Sequence, residues 1–158
     1  MKLLDFVCTD ALISDLQATD RDAAINEILD KLIEAGAVEA GLKDELVSLI
    51  IERENHGSTG FGKGVAVPHV KHENITKMYA AVGISQKGVD FNALDKQPVY
   101  SIFMLLSPKD NPDEHLQAME NIFSNLQKDQ FRRFLRQSTS AAEITDLLNE
   151  ADTQQLPG

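Results

Sequence analysis

The sequence predicts an α/β sandwich with a mixed β-sheet, and three observations point there. Segments with helical apolar spacing interleave with short runs rich in β-branched residues. One of those runs, VYSIFMLL (99–106), is apolar on both faces, as a central strand must be. The strands are not joined by a regular βαβ repeat, so the sheet is expected to be mixed. The chain has 158 residues, 42% apolar and 25% charged, which suits one compact domain with a sizeable core.

The start, LLDFVCTDALISDLQA, reads as a lead-in with a short strand. The first helix is expected over Arg21–Ala35. Ala24, Ile25, Ile28, Leu29, Leu32 and Ile33 recur at helical spacing, Thr19 or Asp20 serves as cap, and Gly36 stops it. A second helix, Leu42–Arg53, sets Leu42, Leu46, Leu49 and Ile50 on one face. A glycine-rich loop then ends in VAVPH, which reads as a brief extended segment. MYAAVGIS (78–85) and VYSIFMLL are strands, with turns in GVDFNALDKQP between them. A third helix begins at Pro112, after the cap Asn111, with Asp113 and Glu114 at the positive end of its dipole. Its buried stripe is expected to be Leu116, Met119, Ile122, Phe123 and Leu126. Two shorter helices follow, over 130–136 and 141–149, and NEADTQQLPG reads as a frayed end. The domain is therefore expected over 1–150, with a flexible tail over 151–158.

Bulk charge narrows the function. A net charge of −10 argues against a nucleic-acid footprint, which needs a basic face. No apolar segment approaches the length of a membrane span, and Asp5 interrupts the short apolar start, so neither membrane insertion nor a secretory signal is expected. The lone Cys8 cannot form an internal disulfide, which fits a reducing cytoplasm.

The stretch GSTGFGKGVAVPH (57–69) looks built to hold a phosphate. A nucleotide loop of the GxxxxGK[ST] type matches at Gly57, Gly62 and Lys63, but Gly64 stands where a magnesium-binding hydroxyl is required. Such a loop also opens a helix, whereas this one runs into VAVPH, and Pro68 opposes helical geometry in the residue before it. The alternatives are a flexible hairpin-like loop, or glycines whose bare backbone lets N–H groups converge on an anion. Among the four histidines, His69-x-x-His72 has the makings of a metal pair with His56 or His115. No helix carries the pair, however, and no cysteine or carboxylate stands at a telling spacing, so no metal is expected. His115 falls in the first turn of the third helix, where free N–H groups favour negative charge. Arg53 ends the second helix just before the loop. Taken singly, each of these has an ordinary structural explanation; together they suggest a phosphate site.

Arg53, the run from Glu54 through STGFGKGVAVPH, and His115 resemble the enzyme IIA domain of the bacterial phosphotransferase system, of the mannitol/fructose class and its nitrogen-regulatory relatives. Glu54, Phe61-Gly62 and Val65-Ala66-Val67-Pro68-His69 fill the family's pattern, with an arginine 16 residues before His69 and a second histidine 46 residues after it. Val70 departs from it, because the family usually has a small residue there, and a β-branched side chain in that place is expected either to narrow access to the imidazole or to alter the partner surface, without removing a phosphoryl-binding group.

The resemblance covers about 1–150 and implies a mixed sheet with helices on both faces. It implies that His69 accepts a phosphoryl group on Nε2, that Arg53 pairs with the phosphoryl oxygens and that His115 donates to them. Ser58, Thr59, Gly60 and Gly62 are expected to lend further donors. It implies no cofactor. HPr or an HPr-like phosphocarrier protein is the implied donor, and a separate IIB protein or a regulatory target the recipient. The absence of IIB and IIC segments from this sequence favours a regulatory or general carrier role over a dedicated sugar carrier. A binding module of the same fold that no longer relays phosphate is the alternative.

Overall fold

The computed structural model describes residues 1–153. It contains strands β1 (Val7–Ile13), β2 (Val65–Ala66), β3 (His69–His72), β4 (Tyr79–Val89) and β5 (Val99–Pro108). Its helices are α1 (Arg21–Glu34), α2 (Lys43–Asn55), α3 (Pro112–Leu126), α4 (Asp129–Gln137) and α5 (Ala141–Asp152). The sheet runs β1-β4-β5-β2, with β3 also paired to β5. Only the β4–β5 pairing is antiparallel; β1 lies parallel to β4, and β2 and β3 lie parallel to β5. β5 is thus central, as its apolar character on both faces requires. β2 and β3 form one outer strand, interrupted at Val67 and Pro68.

Strand alternation sorts the sheet's side chains into two cores. Val65, Val67, Phe103 and Leu105 face α3, α4 and α5, while Ala66, Ile102, Met104 and Leu106 face α1 and α2. Helices therefore cover both faces. Local signals place the helix starts where expected: the Asp20 side chain accepts from the Ala23 N–H, and that of Asn111 from the Glu114 N–H. Each such cap contributes about 1 kcal/mol.

The α3 stripe is rotated from expectation. Leu116 is 58% exposed, and the inward face runs through His115, Ala118, Ile122 and Leu126. An imidazole occupies the first inward position, which turns its neighbour Leu116, about 100° round the helix, toward solvent. The last helix also runs further than its apolar spacing suggested. The Asp152 carboxylate accepts from the Leu3 and Leu4 N–H groups at 2.6 and 3.0 Å, tying the end of α5 to the start of the chain. Residues 151 and 152 of the expected tail are therefore helical, and 154–158 lie outside the described residues. No helix among the described residues is long and apolar enough to cross a membrane.

Candidate functional site

The site begins at the end of α2, where successive residues take opposite roles. Leu46, Ile50 and Glu54 repeat every four residues and form the inward stripe, so Glu54 is buried and Arg53, one residue earlier, is exposed. The Arg53 guanidinium donates from Nη1 to the Gly57 carbonyl at 2.9 Å, and among the described residues its other N–H groups have no partner. A carboxylate as buried as Glu54, only 3% exposed, must be hydrogen-bonded. It accepts from the Thr59 N–H at 3.0 Å and the Thr59 hydroxyl at 2.6 Å.

That hydroxyl in turn accepts from the Val67 N–H at 3.2 Å, and the Val67 carbonyl lies 2.8 Å from His69 Nδ1. A chain of bonds thus runs from Glu54 through Thr59 and Val67 to the imidazole. A carbonyl only accepts, so Nδ1 carries the proton and Nε2 keeps its lone pair.

β3 then sets the direction of each side chain. His69 is in register with Leu105 and Lys71 with Ser107, so His69 and Lys71 share the face that α3 covers. His115, in the first turn of α3, brings its ring centroid to 5.6 Å from that of His69, at an interplanar angle of 53°. Its Nδ1 lies 2.6 Å from the hydroxyl of Ser107 on β5.

Both rings are held neutral near pH 7. Burial lowers His115 to about 4, and the charges of His69 and Lys71 push the same way. His69 is lowered from 6.5, again chiefly by burial, with Arg53 and Lys71 assisting; its bond to Val67 and the charge of Glu54 oppose the shift. Arg53, at the end of the helix that leads into the loop, is the cation whose charge helps to lower His69. A neutral imidazole with a free Nε2, a second neutral imidazole and a cation together can accept and cradle a phosphoryl group.

Of the expected loop donors, those of Thr59 and Gly60 are engaged within the loop. The N–H and hydroxyl of Thr59 are committed to Glu54, and the Ser58 hydroxyl accepts from the Gly60 N–H at 3.0 Å. The glycines serve the loop's packing. A Cβ on Gly60 would lie 3.0 Å from the Ala93 side chain, and Gly62 has φ +120. Val70 and His72 lie on the opposite face of β3 from His69, so Val70 does not crowd the imidazole and packs with the α1–α2 core. The same alternation sends the rings of His69 and His72 to opposite sides of the sheet, where they do not converge on one ion. The anchoring role of Glu54 is visible in sequence as an acidic residue in phase with Leu46 and Ile50. Nothing in the sequence marks Ser107.

The family model described as "Phosphoenolpyruvate-dependent sugar phosphotransferase system, EIIA 2" matches residues 6–151. Among curated proteins, the chain is 32% identical over 130 residues to the fructose-specific EIIA component of Haloferax volcanii, covering 82% of this chain and 83% of that one. It is 30% identical over 149 residues to a nitrogen regulatory protein of Bradyrhizobium diazoefficiens, covering 94% and 95%. The fructose-specific EIIABC component of Bacillus subtilis is 28% identical over 152 residues, and the chain spans only 24% of its length. Among solved structures, the nitrogen regulatory protein IIA-Ntr of Neisseria meningitidis superposes with TM-score 0.81 at 26% identity, over 91% of this chain and 97% of that one. The IIAMtl component of the Escherichia coli complex with phosphorylated IIBMtl shares the fold, with TM-score 0.72 at 21% identity over 89% and 94%.

Proposed function

The chain belongs to the EIIA 2 family of the phosphoenolpyruvate-dependent sugar phosphotransferase system, and from that premise we propose that His69 carries a phosphoryl group between proteins. Family membership gives the coarse role, a phosphocarrier or regulatory component of that system. The observation that supports the finer reading is the free Nε2 of His69 beside the neutral ring of His115.

In the proposed step, the Nε2 lone pair attacks the phosphorus of a phosphohistidine on HPr or an HPr-like protein. The new N–P bond forms as the donor's N–P bond breaks, and its electrons return to the departing imidazole. No proton needs to move, because the Nδ1–H stays on the Val67 carbonyl. That retained proton keeps the phosphorylated ring a good leaving group for the next transfer. The transferring group is metaphosphate-like, with charge spread over its equatorial oxygens. Arg53 offers two parallel N–H donors to it, and His115 offers a third.

Onward transfer to a IIB protein is one outcome, in line with the IIA–IIB complex among the structural neighbours. A regulatory outcome is the other, in line with the similarity to the nitrogen regulatory protein of Bradyrhizobium. Phosphorylation with no proton moved places a PO₃ dianion on a ring cation, so it adds one net negative charge to an already acidic protein and alters which partners bind there.

Incubation with phosphoenolpyruvate, enzyme I and HPr is expected to give an acid-labile, base-stable phosphoprotein, and His69→Ala is expected to lose the label. Retention of the label by that variant would overturn the assignment. Rapid passage of the label to a purified IIB protein marks a transport role. Binding of a target that distinguishes the two states without onward transfer marks a regulatory one.

A further inference from the structure

The Ser107 hydroxyl is fully buried, and among the described residues its only hydrogen-bond partner is His115 Nδ1. Two proton arrangements are conceivable across that 2.6 Å contact. If Nδ1–H donated to the serine, the serine's own proton would point into the core with no acceptor, and a buried unpaired donor is costly. If the serine donates to Nδ1, its proton and the ring lone pair are both satisfied, and only an unused oxygen lone pair remains. The second arrangement puts the single ring proton on Nε2, the one nitrogen of His115 with no partner among the described residues.

We propose that Ser107 is a positioning residue: its hydroxyl fixes His115 in the Nε2–H tautomer, so that an N–H donor is always presented to a phosphoryl group on His69. This rests on the relay described above and adds a part to it. The opposite tautomer would turn a lone pair toward the phosphoryl oxygens and repel them. Ser107 reaches the reacting group only through His115, since it is enclosed behind the ring.

The tautomer is read directly from imidazole nitrogen NMR of the unphosphorylated protein. The wild type is expected to show a pyridine-type Nδ1 and a pyrrole-type Nε2 for His115. Ser107→Ala is expected to lose that single pattern and to slow transfer from HPr by about tenfold, less than loss of a whole donor would. Ser107→Thr, which keeps a hydroxyl, is expected to restore both. In a His115→Ala background, Ser107→Ala is expected to cause no further slowing. A wild-type spectrum with the proton on Nδ1 would overturn the proposal without recourse to any variant. So would an unchanged tautomer in Ser107→Ala, or additive slowing in the double variant. Because the spectra need no phosphate, failure of His69 to take up label would count against the relay alone.

Discussion

His69 and His72 stand at the two ends of β3, three residues apart and on opposite faces of the sheet. His72 is 6% exposed and has both nitrogens occupied. Its Nδ1 accepts from the Asn74 N–H at 3.0 Å, so Nε2 carries the proton and donates to the Glu45 carboxylate at 3.2 Å. His69 spends only Nδ1, on the Val67 carbonyl, and keeps Nε2 open. The same side chain on the same strand is a clamp in one case and the proposed nucleophile in the other. Reactivity follows from which lone pair the surrounding bonds leave unused.

Four measurements break or sharpen that contrast. The largest effect is expected from removing the open nitrogen. His69→Gln is expected to abolish phosphoryl acceptance, while His72→Gln keeps the wild-type rate within about twofold. The reverse result in a labelling time course would invert the comparison. Next, Arg53→Ala is expected to slow transfer by about 10²-fold with an unchanged melting temperature, because it removes charge stabilisation from the reaction and nothing from the core. An unaffected rate would place the guanidinium outside the reaction. Third, Thr59→Val cuts the bond chain that holds Val67 and leaves the Glu54 carboxylate short of a donor. We expect a loss of about 1–3 kcal/mol in denaturant unfolding and slower transfer; full stability would mean the chain anchors nothing.

The smallest effect concerns pH. The pKa of folded His115 is about 4, below the 6.5 of an unperturbed histidine. The unfolded chain therefore binds this proton first as pH falls. The stabilising contribution is complete above pH 6.5 and is lost between there and about pH 4. His115→Gln is expected to flatten this part of the melting-temperature profile, and a profile of wild-type steepness would show that the ring does not titrate in this way.

The parts of the molecule that the sequence made legible share a cause. Helix starts followed local caps at Asp20 and Asn111, and β5 followed its unbroken apolar run. Arg53, His69 and His115 stood out because a long spaced pattern carried them. What stayed hidden depends on which way a group turns once the chain has folded. The donors of Thr59 and Gly60 looked available for a phosphate, but Glu54 and Ser58 take them. Leu116 looked like core because apolar spacing cannot anticipate that a histidine will take the inward position beside it. Val70 looked like an obstruction until the pleat of β3 sent it to the other face. Ser107 was one more polar residue in a hydrophobic strand, and only its 2.6 Å approach to the ring distinguishes it.

The break in the outer strand has a further consequence, for association. An unpaired sheet margin is a template for other strands, and self-association through it is a common hazard. A protein that meets partners at such a margin cannot simply bury it. Here Pro68 offers no N–H, and that of its neighbour Val67 is already bound to Thr59. Pro68 turns its carbonyl inward to the Leu105 N–H, so Val67 is the outward residue at the break, and its donor is withdrawn from any second strand that would pair there.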